Sequence, residues 1–535
     1  MARARSGNAR LARIVSGARF VLSVLTAGAL AGLGAIAFYT ALDLAQIFFW
    51  GDGGGAHVRA GTAWWERIFA KEVPSLIALA AASPWQRRLL LPALGGLLVG
   101  GIAYLLRGER RHGVSELLEA VGYGRRPTRV TNAARRILSA IVTMASGGSA
   151  GQEGPIVQLG GSLAAATSRL FRSSDLEQRT LVACGIGAGV AAAFNTPLGG
   201  ALFAIEVAIG ATSFDLAWPI LLASAAAQAT SRLYLGAGPL YAMSLWTFRA
   251  VPARALPLCA LLGAVAGLAG GAYAMGIERT SEVAARLPLP RWLLPAAGGL
   301  FVGGIGVALY QVHGNGYPFI ASVTSGDLYP VKLLLLLALA KAVATALTLG
   351  SGGGGGIFTP ALFIGACLGG AFGWGVHELF PSVTTTPAEF AVVGMASVFA
   401  GTFHAPLTAI VVHLEMTRDL DASLALIVAC LAAQATTRLV SRESIYHREL
   451  TRRGISWSFE PRRRALRGRR VGEILRAETV RALVPEAAFE EVTRAFAEGR
   501  DLRIYVAKER LLGAIDLHDV KTLLGERGLG IPVVA

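Results

Sequence analysis

Apolar runs dominate the chain and recur at about 20–50, 88–106, 133–146, 154–170, 180–193, 198–211, 216–231, 256–277, 292–311, 331–349, 357–375, 389–402, 404–416 and 423–440. Runs near 20 residues match a hydrocarbon core of ~30 Å. Others are too short or are broken by Gly and Pro. These are predicted to be tilted or re-entrant, since non-helical backbone at membrane depth is tolerated only where it is buried or lines a watery cavity. The pattern predicts an all-α polytopic membrane protein of the transport type. After Ser441 it changes: a basic linker, 448–470, leads into a stretch, 471–535, with ordinary amphipathic patterning. There Val471–Leu475, a helix-like Glu490–Glu498, strand-like Leu502–Ala507 and Leu512–Asp516, and a helix-like Leu517–Leu524 predict a small α/β module. At about 60 residues it is marginal to fold alone.

The apolar region is internally duplicated. Leu91-Pro-Ala-Leu-Gly-Gly-Leu-Leu-Val-Gly-Gly-Ile102 returns as Leu294-Pro-Ala-Ala-Gly-Gly-Leu-Phe-Val-Gly-Gly-Ile305, 203 residues later. Ser146-Gly-Gly-Ser-Ala-Gly-Gln-Glu-Gly-Pro155 matches Ser351-Gly-Gly-Gly-Gly-Gly-Ile-Phe-Thr-Pro360 at an offset of 205. Phe194-Asn-Thr-Pro-Leu198 matches Phe403-His-Ala-Pro-Leu407, and Glu206 matches Glu415, both at 209. Ala227-Gln-Ala-Thr-Ser-Arg-Leu233 matches Ala433-Gln-Ala-Thr-Thr-Arg-Leu439 at 206. Blocks in one order at nearly one offset define halves of about 88–233 and 292–439. Transporters are commonly built this way, and binding sites at the midplane favour inverted halves.

Composition agrees. Of 535 residues, 53% are hydrophobic and only 16% charged, with a mean hydropathy of +0.53; soluble domains carry about 25% charged residues. The 66 glycines suit close packing between membrane helices. A net charge of +16 would suit nucleic acid elsewhere, but its location argues against that. Arg3, Arg5, Arg10, Arg13 and Arg19 precede the first apolar run. Arg448, Arg452, Arg453, Arg462, Arg463, Arg464, Arg467, Arg469 and Arg470 follow the last. The positive-inside rule then predicts both termini in the cytoplasm and an even number of crossings. The first run is too long for a signal-peptide core and is expected to be retained. Cys184, Cys259, Cys367 and Cys430 stand singly in apolar stretches and are expected to pack rather than bridge.

Candidate chemistry lies in the paired Gly-rich blocks. Each ends at a proline, Pro155 or Pro360, near the first turn of an apolar helix, where a missing N–H is harmless. First-turn N–H groups lack intrahelical partners and sit at the positive end of the helix dipole, which makes an anion site. Two such ends brought together would hold an anion weakly enough to release it, as conduction requires. Glu153 stands inside the first block, where a membrane carboxylate needs a partner or a proton. It is either a helix cap or a gate that occupies the anion's own place until protonation displaces it.

These residues carry a resemblance. Gly151-Gln-Glu-Gly-Pro155, Gly356-Ile-Phe-Thr-Pro360, Phe194-Asn-Thr-Pro-Leu198 leading to Glu206, and Ser444-Ile-Tyr446 together resemble the CLC family of chloride channels and proton–chloride exchangers, over about 20–450. The nearest likeness is to the bacterial B-type branch of voltage-gated chloride channels. The resemblance implies an inverted-repeat helical bundle with re-entrant half-helices over 20–447, behind a basic N-terminus, 1–19. It further implies a homodimer with one pore per subunit and a place in the bacterial inner membrane. Glu153 takes the position of the family's gating glutamate. The N–H groups of Gly154, Ile357 and Phe358 take those of its chloride donors, and Tyr446 that of the hydroxyl inside the central site, or else an interfacial anchor.

Three departures follow. In Arg111-His-Gly-Val-Ser115, His112 falls where the family's chloride-binding serine stands. It is there a neutral donor, a cation that strengthens anion binding, or a residue of a solvated loop, and Ser115 would replace the serine only if the loop shifts. Exchangers place a proton-relay acid immediately after the Glu206 position, but this chain has Val207, which leaves Glu206 as a possible substitute. Gln152 stands where arginine is common and removes a positive charge from the outer approach. The segment 471–535 resembles a single CBS motif without its usual mate, so nucleotide binding there is not expected.

The resulting expectation is a voltage- or proton-gated chloride channel in the lipid bilayer that conducts passively and takes no cofactor or metal. A proton–chloride exchanger is the alternative. A neutral-solute pore is more remote, suggested by Asn195-Thr-Pro197 and His404-Ala-Pro406. An enzyme is not expected: no H-E-x-x-H, P-loop or Ser/His/Asp pattern occurs, and His404 and His413 show no third ligand.

Overall fold

Apolar residues at helical spacing, with small residues between them, give helices through the first of the chain's two units, Met1–Pro461; the second is Arg462–Ala535. The computed structural model describes residues 2–51, 74–105, 113–123, 130–210, 214–236, 253–381, 387–455, 482–484, 490–491, 503–507 and 511–516. Six helices among these are long and apolar enough to cross a bilayer: Gly17–Trp50, Trp85–Leu105, Leu256–Arg286, Val331–Gly350, Phe358–Leu379 and Ser423–Arg452. The last contains a break at Ser441, after which the short helix Ile445–Arg452 begins. Shorter helices such as Leu294–Ala308, 15 residues, reach only about 22 Å at 1.5 Å per residue.

The helices fall into two series of the same order. Trp85–Leu105, Gly113–Tyr123, Val130–Ala145, Glu153–Leu170, Asp175–Phe194, Pro197–Phe203 and Phe214–Leu235 are followed in the same order by Leu294–Ala308, Tyr317–Thr324, Val331–Gly350, Phe358–Leu379, Ala388–Phe403, Pro406–Thr417 and Ser423–Val440. The contacts between halves are reciprocal, as a twofold relation demands. A Cβ on Gly96 would lie 2.1 Å from the carbonyl oxygen of Pro295, and one on Gly299 would lie 2.1 Å from that of Pro92. Further along, Gly100 meets Trp292 and Gly303 meets Leu89, so the two helices cross antiparallel. The N–H of Ser149 donates to the Thr348 hydroxyl at 3.1 Å, and that of Gly354 to the Thr143 hydroxyl at 2.9 Å. Gly151 and Gly356 exchange N–H···O bonds of 2.7 and 2.6 Å. The long helices ahead of each half share the correspondence: Gly28 abuts the carbonyl of Ala223, and Gly263 that of Ala429.

Within the two halves, two described α-helices fall outside the apolar runs of the sequence. Gly113–Tyr123 carries Glu116 and Glu119, both buried, and Arg136 donates to Glu116 at 2.7 Å. A charge paired in this way can be buried in a segment whose hydropathy looks too low. The other is Tyr317–Thr324, 8 residues long. The four cysteines are buried and unbridged.

In the second unit, Ala482–Leu483, Arg503–Ala507 and Leu511–Asp516 form a three-stranded sheet. The first pair is parallel. The second is antiparallel, with Arg503 opposite Asp516 and Tyr505 opposite Ala514. Val471–Leu475, most of Glu490–Glu498 and Leu517–Leu524 lie outside the described residues.

Candidate functional site

Two helix N-termini meet where the halves join. The Gly151–Gly356 pair brings the starts of Glu153–Leu170 and Phe358–Leu379 together so closely that a Cβ on Gly154 would lie 2.9 Å from the Gly356 Cα. Only glycine fits at such a crossing. The N–H groups of Gly154, Ile357 and Phe358 have no hydrogen-bond acceptor among the described residues, as expected of a helix's first turn. Both helix ends are buried, so water does not replace the missing acceptors freely.

Glu153 is fully buried at the start of its own helix. It reaches the N-terminus of the other half's helix. Oε2 accepts from the Thr359 N–H at 3.4 Å, and Oε1 accepts from the Thr359 hydroxyl and from the Tyr317 hydroxyl, the latter at 2.6 Å. A carboxyl group thus sits at the positive end of the helix Phe358–Leu379.

Phe358 is fully buried and stacks on Phe403 at 4.4 Å, with Phe203, Phe399 and Phe194 around it. Tyr446 lies in the same cluster, 5.7 Å from Phe403 and 6.5 Å from Phe358. Its helix is fixed at the start by the Ser444 side chain, which accepts from the His447 N–H. It is fixed further along by Arg448, which pairs with Glu278 at 2.9 Å. The Tyr446 hydroxyl has no hydrogen-bond partner among the described residues. Tyr273 donates to the Ile357 carbonyl at 3.3 Å and so orients the peptide that carries the Phe358 N–H.

Glu153, Gly154, Ile357, Phe358 and Tyr446 therefore come together. His112 lies outside the described residues. Ser115 is buried in Gly113–Tyr123 and donates to Glu449 at 2.6 Å. Glu206 is held elsewhere: it accepts from the N–H groups of Leu407 and Thr408, at 3.2 and 2.8 Å, and from the Thr408 hydroxyl at 2.7 Å. Glu415 does the same for Leu198 and Gly199, at 3.2 and 2.8 Å. Each caps the helix of the opposite half that begins with proline. That accounts structurally for a glutamate in each apolar segment. Val207 is buried and apolar. No group of three or more candidate metal ligands occurs among the described residues.

Sequence reasoning missed Tyr317, Thr359, Tyr273 and Lys341. Lys341 is fully buried, and its ammonium donates at 2.8 Å to the carbonyls of Val312 and Gly314. As a cation in the middle of the apolar run 331–349, well inside Lys332 at its edge, it carried a signal. The tyrosines carried none, since hydropathy does not say where a hydroxyl points.

Residues 95–438 match the family model for voltage gated chloride channels. A ClcB-like chloride channel protein of Ralstonia nicotianae is 37% identical over 397 residues, 73% of this chain and 90% of the relative. The voltage-gated ClC-type chloride channel ClcB of Escherichia coli is 31% identical over 437 residues, 80% of this chain and 98% of the relative. Among solved structures, a slow cyanobacterial Cl−/H+ antiporter superimposes with a TM-score of 0.68 at 24% identity, covering 81% of this chain and 98% of the other. With its duplicated helices meeting at paired N-termini, and with relatives alike over most of its length, the chain is a multi-pass membrane protein of the CLC family and carries that family's fold.

Proposed function

We propose that the chain is a gated chloride channel, conducting passively through one pore in each subunit of a homodimer. The observation that carries this reading is the Glu153 carboxylate at the N-terminus of the helix Phe358–Leu379. The carboxylate takes the Thr359 N–H at a helix end that would otherwise attract an anion, so the two compete for that place, and protonation or voltage frees it. The N–H groups of Gly154, Ile357 and Phe358 and the hydroxyl of Tyr446 are the chloride donors, binding without a full positive charge and therefore releasing quickly. The repeats lie inverted across the bilayer, a reading supported by the antiparallel crossing of the spanning helix Trp85–Leu105 with its counterpart. Both termini face the cytoplasm of a bacterial inner membrane, following the basic flanks. The subunits pair through about 198–231 and 404–440, where small residues are dense and Leu198, Leu407 and Leu431 are exposed. The C-terminal module is CBS-like.

Exchange of protons for chloride is the second reading, favoured by the likeness to a Cl−/H+ antiporter. Against it stand Val207, which cannot carry a proton, and Glu206, whose carboxylate is taken up in capping. Chloride efflux from proteoliposomes, with internal pH recorded at the same time, separates the two. Efflux without proton movement, faster in Glu153→Ala, is expected. Protons driven uphill by a chloride gradient would establish exchange, and unchanged efflux in Glu153→Ala would remove the gate.

A further inference from the structure

The Glu153 carboxylate is held by more than a helix end. Of its donors, the Thr359 N–H is the long one at 3.4 Å, whereas the Tyr317 hydroxyl lies at 2.6 Å and the Thr359 hydroxyl shares the same oxygen. Hydrogen bonds to an ionised acceptor are roughly twice as strong as neutral ones. The hydroxyls therefore carry much of the hold on the closed position.

Tyr317 cannot follow the carboxylate if it moves. The loop that delivers it is fastened on several sides: Lys341 donates to the Val312 and Gly314 carbonyls, the Ala150 N–H donates to Gly314 at 3.3 Å, and the Asn315 side chain donates to Gln152 at 3.2 Å. Asn315 also accepts from the Tyr317 N–H at 3.1 Å. Gly316, at φ +92°, supplies the left-handed turn between them. Residues 150–153 of one half are thus stitched to 314–317 of the other. A carboxylate leaving this place breaks the Tyr317 bond outright.

We propose that Tyr317 is a positioning residue of the gate: its hydroxyl, with that of Thr359, latches the Glu153 carboxylate in the anion's place, so that the latch sets how readily chloride displaces it. This rests on the gate reading above. The latch stabilises only the closed arrangement, and removing it favours the open one without touching the backbone donors.

The test is a double-mutant cycle on full-length protein in proteoliposomes, measuring chloride efflux at limiting chloride for the wild type, Tyr317→Phe, Glu153→Ala and the double variant. Tyr317→Phe keeps the ring and is expected to raise efflux about tenfold, and to change it less than twofold where Glu153 is already alanine. Thr359→Val gives a second route to the same result if Tyr317→Phe is recovered poorly. Equal effects in both backgrounds, or none in the wild type, would overturn the latch while leaving the gate intact. Efflux unaltered by Glu153→Ala would overturn the gate, and the latch with it.

Discussion

Single side chains do most of the positioning in this molecule. Lys341 shows how: a fully buried ammonium with no carboxylate neighbour among the described residues is stabilised by two carbonyls and by the face of Phe363, 5.2 Å away. Lys341→Met strands both carbonyls, and a loss of about 2 kcal/mol or more in unfolding free energy is expected, measured by denaturant titration in detergent. Tyr446 is the converse case. Its hydroxyl has no hydrogen-bond partner among the described residues, so Tyr446→Phe is expected to leave stability within about 0.5 kcal/mol while weakening chloride binding several-fold by calorimetry. A stability loss with unchanged binding would assign Tyr446 to packing. Glu153 was legible because a carboxylate in an apolar Gly-rich block demands a reason. Its hydroxyl partners were not, because Tyr317 and Thr359 reach it across 164 and 206 residues of chain.

At the scale of elements, the paired proline-led helices depend on each other. Glu206 caps Pro406–Thr417 and Glu415 caps the helix from Pro197, so Glu206→Ala and Glu415→Ala are expected to lower thermal stability by similar amounts, about 0.5–2 kcal/mol each. A large effect from one and none from the other would break the equivalence. The equal offset of 209 between Phe194 and Phe403 and between Glu206 and Glu415 made the pairing readable in sequence. That each glutamate serves the opposite helix was not readable, since repeats in sequence do not specify which copy touches which. Gly113–Tyr123 escaped the hydropathy pattern for a related reason: its acids look too polar until Arg136, from another helix, neutralises one of them.

For the whole molecule, the crossing of Trp85–Leu105 with Leu294–Ala308 brings the halves into register and so joins the two helix ends that form the site. Gly96→Leu and Gly299→Leu each force a side chain into a carbonyl of the opposite helix, and both are expected to abolish recovery of monodisperse protein by size-exclusion chromatography. Normal recovery of either would mean that the halves can separate there without loss of fold. The central claim is that an anion and the Glu153 carboxylate share one place at paired helix N-termini. Anomalous diffraction from bromide-soaked crystals of the wild type and of Glu153→Gln tests it most directly. Bromide is expected near the Ile357 and Phe358 N–H groups and the Tyr446 hydroxyl in both proteins. In Glu153→Gln, with the side chain displaced, a second bromide is expected where the wild-type carboxylate meets Thr359. No second bromide at Thr359 in Glu153→Gln, or bromide there in the wild type with the carboxylate in place, would contradict the account.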